Sequence, residues 1–302
     1  MRDHTFRLEQ LKPMRSKQVG LAVLGYPISH SISPQIHNAA LQVLALKDST
    51  FAQWSYKKVE VEVNDLSTSI NTLAELGYIG INLTIPHKVK VLPHLSLIDE
   101  QARIMGAVNT LRIEHGGWKG YNTDGVGLSR AIEDAFKLPL GEFNVIVLGA
   151  GGAARAAVAQ CIFEGSQNIA LYNRTIDRAT ELVSALKENG IEKKVSLLES
   201  FTNPFDGLNE PVVVINATAL GLRPEDPSPV DLSGLDGNFH VYDMVYNPPV
   251  TQLMRAAMEK GYPVANGLGM LVGQAARSLE IWSGQEVSVR AMSEAAQAAV
   301  LS

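Results

Sequence analysis

Apolar runs of strand length alternate with segments of helical periodicity along almost the whole chain, in two series. Such alternation leads to a mainly parallel α/β fold, because each crossover between parallel strands needs a helix-length connection. In the first series Val19–Leu24 reads as a strand and Pro34–Leu46 as the helix after it. Ser33 is its expected N-cap, with Pro34 at the first helical position. Asn64–Leu76 reads as a second helix, capped by Asn64 and stopped at Gly77. Tyr78–Ile85 is a strand ending at Pro86, and His87–Leu92 starts a short helix. Ile98–Met105 is a further helix, and Val108–Ile113 a strand before a turn at Gly116–Gly117. The second series begins after Pro139, with strands at Asn144–Leu148, Ile169–Tyr172, Val212–Asn216 and His240–Met244. Its helices are Gly151–Phe163, Ile176–Glu188, Thr251–Lys260 and Met270–Trp282. A length of 302 residues then suits two domains meeting near residue 125.

Charge and cysteine content narrow the partners. A formal charge of −5, from 26 Lys and Arg against 31 Asp and Glu, argues against binding a nucleic-acid backbone. The single cysteine, Cys161, excludes an intrachain disulfide and a multi-cysteine metal site, and reads as inert helix core. A reducing, cytoplasmic setting is the expectation. The seven histidines form no H-E-x-x-H or comparable cluster, so no metal is expected. His37 is open between orienting the neighbouring serine loop and a structural role. No stretch reads as a membrane span: the most apolar, Val145–Phe163, contains three glycines and Arg155. Residues Met1–Lys17 carry five basic and two acidic side chains and no apolar segment, so they read as a disordered or loosely helical extension. An organellar transit peptide is the sharper alternative, against which Asp3 and Glu9 speak.

Residues 144–155 place Gly149, Gly151 and Ala154 in a G-x-G-x-x-A frame that follows a strand and opens a helix. Gly149 permits the tight turn, Gly151 the close approach of a pyrophosphate, and free N–H groups at the helix start favour the anion. An NAD-selecting fold carries Asp or Glu at the end of the next strand to hold the ribose 2′-OH. Here that strand runs into Asn173-Arg174-Thr175, with Arg178 one turn on. A guanidinium grips a 2′-phosphate where a carboxylate repels it, which favours NADP over NAD. The plainer alternative is a Gly-rich turn followed by two solvated arginines, although cations are disfavoured at a helix N-terminus unless an anion is there.

Polar residues recur where strands of the first series end. Ser29, Ser31 and Ser33 alternate in the loop after the first strand, and Asn82 and Thr84 share a face at the end of another. Ligands of open α/β sheets bind at that edge, and hydroxyls suit a hydroxylated or carboxylated small molecule. Lys88 opens the next helix, an electrostatically unfavourable place for a cation, which marks it as an acid/base or carbonyl-polarising group. Asn109 and Asp124 lie in loop contexts near the domain boundary. Any one of these fits a turn or cap; together they exceed what folding needs.

These segments resemble the shikimate dehydrogenases and the wider shikimate/quinate dehydrogenase group. The resemblance covers residues 19–285 and rests on eight motifs in order. They are Ser-x-Ser-Pro-x-x-His-Asn, Asn-x-Thr-x-Pro-x-Lys, Gly-Ala-Val-Asn-Thr, Asn-Thr-Asp-Gly, Gly-Ala-Gly-Gly-Ala, Asn-Arg-Thr-x-x-Arg, Tyr-Asp-Met-x-Tyr and Gly-x-x-Met-Leu-x-x-Gln-Ala. It implies reversible reduction of 3-dehydroshikimate to shikimate with NADP, on the route to chorismate and the aromatic amino acids. It implies an N-terminal α/β substrate-binding domain and a Rossmann-type NADP-binding domain, with C-terminal helices returning to the first domain. The expected segments are 1–18 as extension, 19–124 for substrate, 125–267 for NADP and 268–302 for the returning helices.

By position, the resemblance implies that Ser31 and Ser33 bind the substrate carboxylate, helped by Tyr246. Thr84, Asn109, Asp124 and Gln274 hold the ring hydroxyls, and Lys88 with Asp124 forms the catalytic pair. Gly149, Ala150, Gly151, Gly152 and Ala153 hold the pyrophosphate; Asn173, Arg174, Thr175 and Arg178 the adenosine 2′-phosphate end; Met244 and Gly267 flank the nicotinamide. The sequence departs from the family at His87, where an apolar or aromatic residue is common, at Ala219, where serine is frequent, and in its N-terminal extension. A quinate/shikimate enzyme of mixed substrate or cofactor use and a non-catalytic NADP-binding regulator are the alternatives. The chain is expected as a monomer or homodimer.

Overall fold

The computed structural model describes residues 4–191, 193–201, 205 and 211–301. The chain divides into two compact units, residues 1–123 with 274–302, and residues 124–273. In chain order the first unit holds β1 (Thr5–Phe6), β2 (Val19–Gly25), α1 (Ser33–Lys47), β3 (Trp54–Glu60), α2 (Leu66–Glu75), β4 (Tyr78–Leu83) and α3 (His87–Lys90). It continues through β5 (Leu97–Ile98), α4 (Glu100–Met105), β6 (Thr110–Glu114) and β7 (Gly117–Tyr121). The second unit holds α5 (Asp124–Phe136), β8 (Asn144–Leu148), α6 (Gly152–Phe163), β9 (Ile169–Tyr172), α7 (Ile176–Glu188) and β10 (Ser196–Leu198). Then come β11 (Val212–Asn216), β12 (Phe239–Asp243), α8 (Gln252–Glu259) and β13 (Val264–Asn266). The division falls within α9 (Leu268–Ser283), after Gly273, and α10 (Val289–Val300) belongs to the first unit. The resemblance's expected segment boundary lies six residues earlier, at 267/268.

The first unit's sheet has strand order β1-β3-β2-β4-β6-β7-β5. Pairing is parallel from β1 to β4 and antiparallel through the β6–β7 hairpin, so the sheet is mixed. The hairpin turns at His115 and Gly116, both at positive φ, which matches the right-handed twist of the flanking strands. In register, Lys58, Val23, Asn82 and Thr110 lie level across four neighbouring strands, so their side chains share one face. The core beyond the other face gathers Leu24, Val59, Ile81, Leu111 and Trp118 under α2.

The C-terminal helices return to this sheet. Trp282 donates its indole N–H to the Leu111 carbonyl at 2.9 Å, and α10 packs along α1. Gly80 makes room for this packing: a Cβ there would lie 2.6 Å from the Trp282 ring. A glycine inside a strand marks such a close approach.

The second unit's sheet is wholly parallel, in the order β10-β9-β8-β11-β12-β13, the doubly wound order of dinucleotide-binding folds. Its central strands are continuous β-branched runs because both faces are covered by helices. Cys161 is fully buried in α6, and burial pushes its thiol up.

Several local expectations are corrected. Thr5–Phe6 pairs with Lys58–Val59 as an edge strand, so this part of the extension is ordered; Met1–Asp3 lie outside the described residues. Ser33 is the first helical residue and Ile32 the N-cap, because the Ser33 hydroxyl is engaged by Ser31 Oγ at 3.2 Å instead of capping. Asn64 does not cap α2, which begins at Leu66 after a 3-10 turn at Val63–Asp65. Ile98 belongs to strand β5, and α4 starts at Glu100 with Asp99 as its N-cap; strands β3, β5, β7, β10 and β13 and helices α5 and α10 are additions to the elements read from periodicity.

His37 is fully buried on α1, its ring stacked on Tyr56 with centroids 4.0 Å apart. Burial lowers its pKa from 6.5 to about 3, so the folded protein holds it neutral. The unfolded chain takes up a proton below pH 6.5 that the folded chain refuses, so this contribution is complete above pH 6.5 and lost as pH falls towards 3. Between pH 7 and 4.5 the wild type should lose roughly 2–3 kcal/mol more unfolding free energy than His37→Phe. Denaturant titrations at the two pH values measure this, and equal losses would show that the folded ring accepts the proton.

Candidate active site

The polar residues of the first unit converge because parallel strands present their carboxyl ends on one edge. Ser31 and Ser33 end the loop after β2, with their hydroxyl oxygens 3.2 Å apart, and the Ser31 Oγ also accepts weakly from the Ser33 N–H at 3.4 Å. Behind them Tyr56 donates its hydroxyl to Asn82 Oδ1 at 2.7 Å. Burial pushes this phenol well above its usual range, so it acts as a neutral donor. The Asn82 amide then reaches the Asn109 carbonyl, Thr110 Oγ1 and Ser278 Oγ at 3.1, 3.0 and 2.9 Å.

Asn109 is almost fully buried. Its Oδ1 accepts from the Thr123 N–H at 2.8 Å, and its amide reaches Gln274 Oε1 at 3.4 Å. Ser278 and Gln274 come from α9, so the array needs the returning helix. In effect a sheet edge and a helix are joined by buried hydrogen bonds, the condition under which buried polar groups carry little penalty.

Thr84 follows β4 and is tied by its N–H to the Leu24 carbonyl at 2.9 Å. Lys88 is half-buried in α3, and its carbonyl accepts from the Val108 N–H at 2.8 Å. Since α3 is a single turn of four residues, the helix-dipole argument made for Lys88 has little weight there. His87 is buried, with Nε2 2.8 Å from the Val61 carbonyl; burial lowers its pKa, and its position is a packing one. The first unit thus brings together Ser31, Ser33, Asn109 and Gln274 in or beside one hydrogen-bonded array, while Asp124 opens α5 and, with Tyr246, belongs to the second unit.

In the second unit the turn between β8 and α6 is a cradle. Gly149 has φ +109°, and a Cβ there would lie 3.0 Å from the Ala217 carbonyl oxygen. A Cβ at Gly151 or Gly152 would meet nothing within 4 Å, and α6 starts with no side-chain cap. The first N–H groups of a 12-residue helix therefore point into open space beside exposed Gly151, Gly152 and Ala153, with Ala150 half-exposed. A pyrophosphate fits that surface. At the end of β9, Asn173 Nδ2 donates to the Thr175 carbonyl at 2.7 Å, and Arg174 and Arg178 are exposed at the start of α7. These two cations fit a phosphate ester on the adenosine ribose, so the unit fits NADP.

The loop after β12 is fixed from beneath. Fully buried Asp243 accepts from Asn216 Nδ2, Thr251 Oγ1 and the Val245 N–H at 3.0, 2.7 and 3.0 Å. Burial raises the pKa of this carboxyl, while the three donors pull it back down. Met244 is held by its N–H on the Asn216 carbonyl, and Gly267 by its N–H on the Val245 carbonyl. Tyr246 is half-buried, which raises its pKa, and Ala219 lies in the turn after β11. Among the described residues, no group of three or more His, Cys, Asp or Glu side chains is placed to hold a metal ion, and no helix is long and apolar enough to cross a membrane.

The sequence reading missed Tyr56, Thr110, Thr123 and Ser278 as members of the array, and Lys58 beneath it. Alternation of Trp54, Tyr56 and Lys58 on one strand face was the available signal, masked by the charge of Lys57 and Lys58 in mid-strand.

Comparison with known proteins agrees along the chain. The family models for the shikimate dehydrogenase substrate binding domain, shikimate / quinate 5-dehydrogenase and the shikimate 5'-dehydrogenase C-terminal domain match residues 23–111, 131–220 and 267–297. The chain is 37% identical over 271 residues to the shikimate dehydrogenase (NADP(+)) of Bacillus subtilis, covering 89% of this chain and 93% of that protein. The structure of shikimate 5-dehydrogenase from Thermus thermophilus in complex with NADP(H) and shikimate superposes with a TM-score of 0.79 at 32% identity, covering 93% of this chain and all of that one. Quinate dehydrogenase from Corynebacterium glutamicum in complex with NAD does so with a TM-score of 0.81 at 27% identity, covering 93% and 99%. The chain belongs to the shikimate dehydrogenase family.

Proposed function

We propose that the chain is an NADP-dependent shikimate dehydrogenase, reducing 3-dehydroshikimate reversibly to shikimate on the route to chorismate and the aromatic amino acids. The observation that carries the reading is the pair of Ser31 and Ser33 hydroxyls on the same sheet edge as the bonded array from Tyr56 through Asn82 to Asn109 and Gln274. A surface so dense in donors and acceptors matches a small ring bearing several hydroxyls and a carboxylate. The names of the relatives support the same substrate and cofactor.

In this reading Ser31 and Ser33 hold the carboxylate with Tyr246, and Thr84, Asn109, Asp124 and Gln274 hold the ring hydroxyls. The backbone of residues 149–153 binds the pyrophosphate, Asn173, Arg174, Thr175 and Arg178 the 2′-phosphate end, and Met244 and Gly267 flank the nicotinamide. NADPH, when bound, supplies the hydride; the chain supplies position, polarity and a proton. As the carbonyl is reduced, negative charge grows on its oxygen. The Lys88 ammonium offsets that charge and, coupled to Asp124, delivers the proton.

The reaction takes place in the reducing cytoplasm, a setting the lone buried Cys161 supports, and the enzyme works as a monomer or homodimer. Quinate use is the second reading, favoured by the likeness to the Corynebacterium enzyme. The exposed pair Arg174 and Arg178 weighs against NAD as its cofactor.

Replacing Lys88 by Ala should lower kcat for shikimate oxidation by about 10²–10⁴-fold with little change in KM, read from absorbance of the reduced nicotinamide. Near-normal turnover would remove Lys88 from the chemistry. Arg174→Asp should raise the KM for NADP+ by roughly 10- to 100-fold and spare that for NAD+, the loss expected of a charge-assisted contact. An unchanged KM for NADP+ would mean that the 2′-phosphate is held elsewhere.

A further inference from the structure

Lys58 is an anomaly of the first unit: its side chain occupies the buried face of β3, between Tyr56 and Glu60, and is 1% exposed. Burying an ammonium group is costly unless its donors are satisfied. Lys58 Nζ spends donors on the backbone of the serine loop, reaching the Ser29 carbonyl at 2.5 Å and the Ser31 carbonyl at 3.3 Å.

That loop, from Tyr26 to Ile32, has no helix or strand of its own. Its beginning is pinned to neighbouring strands, by the Val61 N–H on the Gly25 carbonyl and the Tyr26 N–H on the Ile85 carbonyl. Its far end is pinned by the start of α1 at Ser33. Between those points a single local turn, Ser31 N–H to the Ile28 carbonyl, shapes the chain. Lys58 grips the middle, at the two residues whose positions decide where the Ser31 hydroxyl points.

We infer that Lys58 is a positioning residue for carboxylate recognition: by clamping the Ser29 and Ser31 carbonyls it aims the Ser31 and Ser33 hydroxyls at the substrate. The inference deepens the proposed function and rests on it for the identity of the ligand. A compact ammonium suits the task, because its rotatable donors reach two backbone carbonyls at once. The effect is local to carboxylate binding. It leaves the proton-transfer pair and the nucleotide cradle alone.

The test uses Lys58→Met in the full chain, which keeps the length of the side chain and removes its donors. With shikimate and NADP+, the KM for shikimate should rise roughly 10- to 100-fold, the loss of hydrogen bonds to a charged group. kcat should stay within about twofold and the KM for NADP+ should not move. The methyl ester of shikimate, whose carboxylate is masked, should be turned over poorly by the wild type and no worse by the variant, closing a double-mutant cycle on the carboxylate. An equal loss on both substrates, or an unchanged KM for shikimate, overturns the inference. Lys58→Gln, shorter but still a donor, should show a smaller rise in KM, and also serves if Lys58→Met fails to fold; a rise at least as large as for Lys58→Met contradicts the assignment. A wild type that does not oxidise shikimate would sink the functional reading instead. In that case amide exchange decides the positioning role: residues 27–32 should exchange faster in a folded Lys58 variant with the rest of the unit unchanged, and unchanged exchange there overturns it.

Discussion

Asn82 lies on a central strand of the first sheet with almost no exposure, and its amide is used from both ends. The oxygen accepts from Tyr56 on β3, while the nitrogen shares its two hydrogens among the Asn109 carbonyl, Thr110 Oγ1 on β6 and Ser278 Oγ on α9. One side chain therefore ties three strands to the returning C-terminal helix. Buried amides of this kind cost about 1–3 kcal/mol for each group left unpaired, so the network is all-or-nothing. That condition fixes where Asn109 and Gln274 lie, and what is proposed about the ring hydroxyls depends on their staying there.

The second unit solves a different problem by different means. Its glycine turn presents bare backbone donors, and the surface proposed for the nucleotide is shaped by what is missing: side chains at Gly151 and Gly152, and a carboxylate in the turn after β9. Loop geometry beside it is again set by a buried polar group, Asp243, which satisfies three donors and thereby fixes the course of the chain through Met244 and Val245. Both units thus carry rigid polar supports one layer beneath the residues proposed to touch ligand. Support of that kind is what holds a site to useful tolerance.

The sequence was most legible where burial was two-sided. Asn144–Leu148, Ile169–Tyr172 and Val212–Asn216 have the bounds read from periodicity, because a strand covered on both faces is a continuous apolar run, and the helix Ile176–Glu188 has its own from an amphipathic repeat ended by Asn189 and Gly190. It was least legible where tertiary contact creates the element. Thr5–Phe6 is a strand only through its pairing with β3, and β3 itself is hidden by two lysines, of which Lys58 faces inward to serve the loop. Helix α5 is obscured by Gly125 and Gly127, poor helix formers that the structure buries. Within the candidate site, motif residues at strand ends were visible, whereas Tyr56, Thr110 and Ser278 acquire meaning only once the sheet register and the return of α9 bring them to Asn82. The expected Ser33 cap failed for a related reason: its hydroxyl belongs to the serine pair instead of the helix.

The most direct test compares initial rates of oxidation of shikimate and quinate, each with NADP+ and with NAD+, by the wild-type chain. The account predicts that shikimate with NADP+ exceeds every other combination by about tenfold or more, because one pocket hydroxyl contact and one phosphate contact are each worth a kcal/mol or more. Quinate with NAD+ matching that rate, or no turnover with any pair, would contradict it.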